Sequence, residues 1–204
     1  MVANQLRTNA VSDVRVVTAM GEVARERFVP EGKARLAYTD SMIPLAPGRA
    51  LNPPTVTGRL LTEARVGSAD RVLLVGAGTG YTAELLGRLA GSVIALEDDA
   101  ALLARAREAV TAPNVKLVDG PLAQGWGGDA PYDLIVIEGA IEQVPPALIE
   151  QLVDGGRIVA PIIDGGVTRL SIGRRGGGGF GMTSFADAAA APLPGFARPV
   201  EFSF

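Results

Sequence analysis

The sequence predicts an α/β fold with a doubly wound, mostly parallel sheet and an antiparallel hairpin at the sheet edge near the C-terminus. Three observations lead to this prediction. Short apolar runs alternate with segments whose apolar residues recur at helical spacing. The run VLLV at residues 72–75 is followed at once by glycines and a helical segment. After residue 164 the alternation ends, and two strand-like segments flank the glycine-rich residues 174–179.

Composition limits the chemistry and the partners that we expect. The 204 residues include no Cys and no His, which excludes disulfides, thiolate nucleophiles, imidazole bases and the metal sites that these side chains ligate. We therefore expect no metal. The formal net charge of -3 gives no sign of nucleic-acid binding, and the apolar runs are too short to span a membrane. The polar N-terminus lacks the apolar middle of a signal peptide, so we expect a cytoplasmic protein.

The first 55 residues predict a helix followed by an irregular segment. Ser12 is a plausible N-cap for a helix over residues 12–27, which Pro30 would end. Residues 31–54 are rich in proline and contain apolar side chains at no regular spacing. Segments of this length are usually functional when they pack, and two interpretations remain open. The segment is either a structural wrap or a lid that forms a wall of a substrate site.

The remaining elements follow from apolar periodicity and from breaker residues. Pro145 and Pro146 suit the first turn of a helix that Gly155 and Gly156 would end. The terminal EFSF is expected to pack on the body, because free Phe202 and Phe204 would expose apolar surface. The predicted strands are residues 72–75, 92–96, 115–118, 134–137, 157–163, 167–173 and 180–185, and the predicted helices include residues 55–66, 82–90 and 145–153.

The glycine turn after the first core strand predicts the ligand-binding end of the sheet. Glycine allows close approach to the backbone, and the first amides of the next helix lack intrahelical partners, so the turn suits a negatively charged group. A dinucleotide site has its third glycine at the position of Tyr81. Here the third glycine comes one residue earlier, which favours S-adenosylmethionine over NAD. The turn consists of Gly76, Ala77, Gly78 and Gly80.

An acidic residue at the end of the second core strand supports a nucleoside ligand. Glu97 follows the turn by about twenty residues, where a carboxylate can accept hydrogen bonds from both ribose hydroxyls, and Asp98 comes next. The alternative is a solvated charge at a strand end. A methyl donor also suits the missing histidine, because a carboxylate acceptor with a pKa of about 4 is already ionised at neutral pH. Such an enzyme works by positioning its reactants and excluding water.

Several further segments carry a pattern that is specific to one family. The segments are QLR (5–7), RERFVP (25–30), AYTD (37–40), the glycine turn with Tyr81, Glu97, APYD (130–133) and EQLVDGGRIVAP (150–161). Together they resemble the protein-L-isoaspartate O-methyltransferase family over residues 5–194. The resemblance implies a Rossmann-like class I methyltransferase fold with S-adenosylmethionine as donor. It also implies an isoaspartyl-containing protein or peptide as acceptor, whose methyl ester collapses to a succinimide and so permits protein repair.

The departures from the family pattern fall at functional positions. In the loop that reads roughly TISQP in the family, Ala50 replaces the threonine, Asn52 the active-site serine and Pro53 the glutamine. Asn52 can still donate a hydrogen bond, so it takes the catalytic position next to the transferred methyl. Glu138 replaces a threonine near the acceptor. If ionised, it would disfavour an anionic substrate by about 1 kcal/mol or more.

The adenine side of the expected site also departs from the family. The family's GDG becomes Gly120-Pro121-Leu122, and Asp119 stands one residue early as a substitute acid. Losing one hydrogen bond there would weaken cofactor binding by about 1 kcal/mol.

Four functional hypotheses are compatible with these residues. The first is an isoaspartyl carboxyl methyltransferase, and the second is a methyltransferase of the same fold with another acceptor. The third is a non-catalytic homologue that binds cofactor or a partner, and the fourth is a dinucleotide oxidoreductase. In each case the length predicts one domain, in which residues 1–55 form the cover, 56–164 the cofactor-binding core and 165–204 the hairpin and tail.

Overall fold

The computed structural model describes residues 6, 8 and 10–198, and a seven-stranded sheet lies at their centre. A separate two-stranded hairpin covers one end of that sheet. The strands are β1 (Ile43–Ala46), β2 (Arg49–Leu51), β3 (Arg71–Val75), β4 (Ser92–Glu97), β5 (Val115–Asp119), β6 (Tyr132–Ile137), β7 (Leu152–Asp164), β8 (Val167–Gly176) and β9 (Gly179–Asp187). The α-helices are α1 (Val14–Glu22), α2 (Pro54–Ala64), α3 (Tyr81–Leu89), α4 (Ala100–Ala109) and α5 (Pro146–Glu150).

The strand order is β5-β4-β3-β6-β7-β8-β9, with β3 in the middle of the parallel part. The pairs β5–β4, β4–β3, β3–β6 and β6–β7 are parallel. The pairs β7–β8 and β8–β9 are antiparallel. The predicted fold class is therefore confirmed, including the antiparallel hairpin at the edge. Parallel strands in this order bring the ends of β3, β4, β5 and β6 to one side of the sheet.

Strand β3 is apolar throughout because both of its faces are covered. Val72 and Leu74 contribute to a core with helices α1, α2 and α3. Leu73 and Val75 contribute to a second core on the opposite face, together with residues of β5 and α5. All four side chains are at most 1% exposed. A strand buried on both faces is continuously apolar, so the run at residues 72–75 predicted this strand from the sequence.

The first helix is shorter than predicted and begins at a different cap. The Asp13 carboxylate, not Ser12, accepts a hydrogen bond from the Arg15 amide, so the predicted N-cap is wrong by one residue. Helix α1 ends at Glu22, and a 3₁₀ turn over Arg25–Phe28 follows. This turn buries Arg25 and Phe28 completely, so tertiary packing ends the helix before Pro30 does.

The boundary between α5 and β7 also differs from the prediction. Helix α5 spans only five residues, and β7 begins at Leu152, so Gly155 and Gly156 lie inside a strand. The pairing of β6 with β7 is irregular there, which accommodates the two glycines. The Arg175 guanidinium on β8 donates hydrogen bonds to the carbonyls of Ile149, Glu150 and Leu152. A residue from a distant strand thus satisfies carbonyls at the end of the helix.

The segment expected to be irregular contains the β1–β2 hairpin, so that expectation is wrong for Ile43–Leu51. The tail after β9 packs beside this hairpin, with Ala191, Leu193 and Phe196 buried. The Ala140 amide donates to the Ala191 carbonyl, and the Leu193 amide donates to the Ala140 carbonyl. The packing predicted for Phe202 and Phe204 falls outside the described residues. In the described part of the chain, no helix has the length and apolarity needed to cross a membrane.

Substituting Gly80 measures whether packing against helix α4, as well as the backbone conformation of the turn, requires glycine at this position. Gly80 has φ 96°, and a Cβ added there would lie 2.5 Å from Val110 Cγ2. Gly155 has φ 79°, but a Cβ there would meet nothing within 4 Å. We expect Gly155→Ala to lower the free energy of unfolding by about 1 to 2 kcal/mol through backbone strain alone. Gly80→Ala should lower it by about 1 to 3 kcal/mol more through overpacking.

Urea unfolding of the two variants at one pH measures this difference. Equal losses of unfolding free energy in both variants would show that helix α4 shifts to admit the new methyl group. Gly80 would then be needed only for its backbone conformation.

Candidate functional site

The glycine turn connects the end of β3 to the first residue of α3. Gly76, Gly78 and Gly80 all have positive φ, of 80°, 57° and 96°, which L side chains rarely adopt. The amides of Gly76 and Ala77 both donate to the Leu96 carbonyl at 3.0 Å and so fix the turn against β4. The turn is therefore held next to the end of β4, where Glu97 lies.

The three glycines face different neighbours. A Cβ on Gly76 would meet the Leu193 side chain at 3.0 Å, and one on Gly78 would meet Leu45 Cδ1 at 3.4 Å. Gly80 faces helix α4 instead. Only Gly76 and Gly78 therefore open towards the cover formed by the hairpin and the tail.

The Glu97 carboxylate is fully buried and makes five hydrogen bonds. Oε1 accepts from the amides of Asp98 and Asp99 at 3.1 Å each, and Oε2 accepts from the Gly78 amide at 2.6 Å. The Arg49 guanidinium donates to both oxygens, with distances of 2.5 Å to Oε1 and 2.6 Å to Oε2. A bidentate pair of this kind is both strong and geometrically specific.

Arg49 and Leu193 close the crevice above the glycine turn. Arg49 also donates to the Asp98 carboxylate at 2.9 Å. The enclosed space left between the hairpin, the turn and the tail is about 10 Å³, which is room for about one water molecule. Ala50, Thr82 and Glu138 line this space together with Gly76 and Gly78. The side chains of the cover thus occupy the volume beside the buried acid.

The residues predicted for the adenine side lie at the end of the neighbouring strand β5. Asp119 pairs with Glu97 in the β4–β5 register, and the Gly120 amide donates to the Glu97 carbonyl at 3.2 Å. Asp119 and Pro121 are exposed, as is Asp98. Two exposed carboxylates therefore flank the buried Glu97. Asp98 follows it in the chain, and Asp119 lies opposite it on β5.

Asn52 is fully buried, and both ends of its amide are engaged. Its Nδ2 donates to Glu138 Oε1 at 3.1 Å, and its Oδ1 accepts from the Ala191 amide at 3.0 Å. The carbonyl of Asn52 accepts from the guanidinium of the buried Arg25. Asn52 therefore ties the hairpin, the fourth parallel strand and the tail together.

Glu138 is the second buried carboxyl group of the site. Its Oε1 also accepts from the Thr57 hydroxyl at 2.8 Å, and its side chain is 8% exposed. Among the described residues, neither Glu138 Oε2 nor the Thr82 hydroxyl has a hydrogen-bond partner. Burial raises the pKa of Glu138 above its usual 4.5, although the hydrogen bonds from Thr57 and Asn52, the nearby Thr82 hydroxyl and the charge of Arg25 oppose this shift.

Tyr81 is directed away from the cavity. The Arg25 guanidinium lies 4.4 Å from the centre of the Tyr81 ring, and Phe28 packs against that ring edge-on at 5.6 Å. Burial raises the pKa of Tyr81 above its usual 10.0. Tyr81 anchors the Arg25–Phe28 turn to α3 and contributes to the ligand turn only through its backbone.

Most of the residues predicted for the site come together at the ends of β3, β4, β5 and β6. Gly80 faces α4, and Tyr81 packs against the Arg25–Phe28 turn, so neither lines the cavity. Pro53 lines an open groove of about 240 Å³ with Asp40, Thr55 and Arg59. Sequence reasoning missed Arg49, Leu193 and Thr57. Arg49 carried a signal, because it is the charged residue in an otherwise apolar segment between two predicted elements.

The fold is that of the class I methyltransferases. Two solved structures named protein-L-isoaspartate O-methyltransferase share the fold. One has a TM-score of 0.81 at 22% identity, and the match covers 93% of this chain and 64% of that chain. The other, a putative enzyme from Plasmodium falciparum in complex with S-adenosyl-L-homocysteine, has a TM-score of 0.79 at 18% identity, with 92% and 94% covered.

Sequence comparison identifies the family. Residues 1–189 match the family described as protein-L-isoaspartate(D-aspartate) O-methyltransferase (PCMT). The protein-L-isoaspartate O-methyltransferase of Koribacter versatilis is 37% identical over 198 residues, which cover 96% of this chain and 89% of that protein. The Methylorubrum populi protein of the same name is 38% identical over 196 residues, with 95% and 92% covered. The chain belongs to the protein-L-isoaspartate O-methyltransferase family.

The raised pKa of Glu138 predicts a pH-dependent difference between the wild type and Glu138→Gln. Above about pH 4.5, the unfolded state releases the Glu138 proton while the folded state keeps it, so wild-type stability falls as the pH rises. The variant should gain about 1.4 kcal/mol of relative unfolding free energy per pH unit until the folded-state pKa is reached.

Urea unfolding of both proteins at pH 5, 6 and 7 measures this gain. Glu22→Gln, which removes a carboxyl group at an exposed position, provides the matched control. A relative stability of Glu138→Gln that falls with rising pH would mean that Glu138 is ionised in the folded protein.

Proposed function

We propose that this chain transfers a methyl group from S-adenosylmethionine to the free carboxylate of an isoaspartyl residue in a protein or peptide. The observation that carries the proposal is the buried Glu97 carboxylate, held at the end of β4 by the amide of the glycine turn. A carboxylate in this position accepts hydrogen bonds from two ribose hydroxyls. Family membership supplies the class of donor and the class of acceptor.

The residues present fit this cofactor chemically. The positive-φ glycines keep side-chain atoms of the turn itself out of the crevice. The atoms nearest to Gly76 and Gly78 on the cover side belong to Leu193 and Leu45, two flexible side chains. The Arg49 guanidinium engages both oxygens of Glu97 and is a stand-in for two donating hydroxyls. Cofactor entry therefore requires the hairpin and the tail to move away from the turn.

Each predicted residue has a role in this proposal. When bound, S-adenosylmethionine supplies a methyl group on a positively charged sulfur. Glu97 and Asp98 hold the ribose. The backbone of the turn holds the methionyl end, and the end of β5 borders the adenine. The backbone residues of the turn are Gly76, Ala77, Gly78, Gly80 and Tyr81, and the β5 residues are Asp119, Gly120 and Pro121.

The acceptor side is formed by Ala50, Asn52 and Glu138, with Pro53 on the outer groove. An isoaspartyl carboxylate is ionised at neutral pH and needs no general base. The protein then contributes orientation and the exclusion of water, which Leu193 and the hairpin provide when the cover is closed. Asn52 is the residue placed next to the transferred methyl in this proposal. Because its amide is fully engaged, it acts there chiefly by positioning Glu138 and the hairpin.

Two specific observations favour other outcomes for the same site. The change to Glu138 favours a different, uncharged acceptor if Glu138 is ionised. The bidentate Arg49–Glu97 pair favours a homologue that binds a partner and transfers no methyl group. Both alternatives predict that an isoaspartyl peptide remains unlabelled.

Methyl transfer from labelled S-adenosylmethionine to an isoaspartyl peptide tests the proposal directly. We expect label on the isoaspartyl peptide and none on the same peptide with a normal aspartate. Only the isoaspartyl form has a free α-carboxylate, because its side-chain carboxyl group forms the peptide bond. Glu97→Gln should lower the affinity for S-adenosylhomocysteine by about tenfold to a hundredfold, since a charge-assisted pair of bonds to ribose is lost.

Glu22→Gln, an exposed substitution far from the turn, is the matched control and should retain both activity and affinity. An unlabelled isoaspartyl peptide under conditions in which S-adenosylhomocysteine binds would refute the acceptor assignment. Absence of binding at saturating ligand would refute the cofactor role of this chain as well.

Arg49 should compete with the cofactor for Glu97. We expect Arg49→Gln to bind S-adenosylhomocysteine about tenfold more tightly, because the ribose no longer has to displace a charge-assisted bidentate pair. The same substitution should lower the unfolding free energy, because Glu97 then remains buried with only backbone donors.

Titration calorimetry on Arg49→Gln and on the control Arg88→Gln, which breaks an ion pair with Glu22 away from the site, measures the change. Weaker binding by Arg49→Gln alone would show that Arg49 helps to hold the cofactor.

A further inference from the structure

We propose that Glu138 is a substrate-binding residue that acts in its protonated form, donating a hydrogen bond from Oε2 to the acceptor carboxylate. This inference rests on the function proposed above and names how the altered site recognises its substrate. The family resemblance gives this position a threonine, so the hydroxyl donor that is lost there is replaced by a carboxylic acid in this chain.

The hydrogen bonds of Glu138 distinguish its two oxygens. Oε1 accepts from Asn52 Nδ2 and from the Thr57 hydroxyl, which is the pattern of a carbonyl oxygen in a neutral carboxylic acid. Oε2 has no hydrogen-bond partner among the described residues, although it is buried. A buried polar atom without a partner is costly, so a ligand group that pairs with Oε2 gains the energy of the missing bond.

The position of Glu138 connects it to the cavity. Glu138 lines the enclosed space with Ala50 and Thr82, at the side of the glycine turn. The hydroxyl of Thr82 also has no partner in the described part of the chain. The Thr82 hydroxyl is also close enough to Glu138 to favour the ionised form of that residue, so the two side chains are neighbours. Together they border the space where the acceptor has to meet the methyl donor.

The charge of the acceptor decides which form of Glu138 is compatible with it. Two carboxylates in contact inside a protein repel each other strongly, and one of them then takes up a proton. The isoaspartyl carboxylate must stay ionised to attack the methyl carbon. Glu138 must therefore carry the proton, and burial favours its neutral form. Methylation of a carboxylate transfers no proton, so the Glu138 proton stays on Oε2 throughout.

The charged groups around Glu138 come from three elements. Arg25 lies on the 3₁₀ turn before the cover segment and favours the ionised form of Glu138 through its positive charge. Tyr81 on α3 is neutral, because burial raises its pKa. Arg49 on β2 lines the same space, and Glu97 and Asp98 bind its guanidinium. Donors from α2 and the hairpin complete the surroundings as the uncharged side chains of Thr57 and Asn52.

Three proteins test this inference together: wild type, Glu138→Gln and Glu138→Leu. Glutamine keeps a neutral donor at the position of Oε2, whereas leucine removes it and has similar volume. With the isoaspartyl peptide, we expect Glu138→Leu to raise KM by about tenfold to a hundredfold, whereas Glu138→Gln should stay within about threefold of wild type. All three should bind S-adenosylhomocysteine with similar affinity.

The pH profile gives a readout that a purely structural role would not produce. Wild-type kcat/KM should fall as the pH rises through the pKa of Glu138, because the ionised form repels the acceptor, and Glu138→Gln should lack this alkaline decline. Infrared difference spectra of wild type minus Glu138→Gln should contain the C=O stretch of a protonated carboxylic acid at pH 7. Loss of activity in Glu138→Gln without that band would overturn the inference.

The inference and the proposed function fail in distinguishable ways. If no variant labels the isoaspartyl peptide but the protonated-acid band is present, the proposed acceptor is wrong and Glu138 remains a neutral donor. The inference is then tested by equilibrium binding of the unmethylated isoaspartyl peptide, which should weaken in Glu138→Leu and not in Glu138→Gln. Labelling by wild type with an absent band, or equal peptide binding by all three proteins, overturns the role of Glu138 alone.

Discussion

The rest of the site depends on how the protein neutralises one buried charge, that of Glu97. A carboxylate removed from water needs hydrogen bonds and a counter-charge, and the fold supplies both. The Gly78 amide contributes from the glycine turn, the amides of Asp98 and Asp99 contribute from the end of β4, and Arg49 contributes from the hairpin. The turn, the strand end and the cover are thereby joined through a single side chain. Any ligand that pairs with Glu97 from the side of the hairpin has to replace the contribution of Arg49.

The second buried carboxyl group solves the same physical problem in a different way. Among the described residues, Glu138 Oε1 accepts two hydrogen bonds from neutral donors, and Oε2 has no partner with hydrogen-bond geometry. Burial raises the pKa of Glu138, whereas the nearby Thr82 hydroxyl and the charge of Arg25 oppose this shift. The two acids of the site therefore have different partners, because Glu97 is held by a bidentate cation and Glu138 by neutral donors. In enzymes, two titratable groups with environments of this kind commonly have separate roles in binding and recognition.

Local sequence signals predicted the parallel core well and the cover poorly. Strand β3 and the turn were readable because a fully buried strand is continuously apolar and because only glycine adopts the required φ angles readily. The β1–β2 hairpin was not predicted, because its conformation depends on contacts with Glu97, the glycine turn and the tail. The partners of Asn52 could not be predicted either. The hydrogen bonds of its side-chain amide join it to Glu138 and Ala191, which lie 86 and 139 residues away along the chain.

The sequence by itself determined the chemistry that is available, namely carboxylates, amides and hydroxyls around a glycine turn, with no thiol or imidazole. It also determined the order of strands and helices in the parallel core, since periodicity and breaker residues are local properties of the chain. Only the tertiary structure decided that Arg49 pairs with Glu97, that Leu193 covers Gly76 and that Glu138 Oε1 accepts from Asn52 and Thr57. These features depend on which side chains, distant in the sequence, come together in one small volume. The spacing of residues along the chain does not predict such contacts.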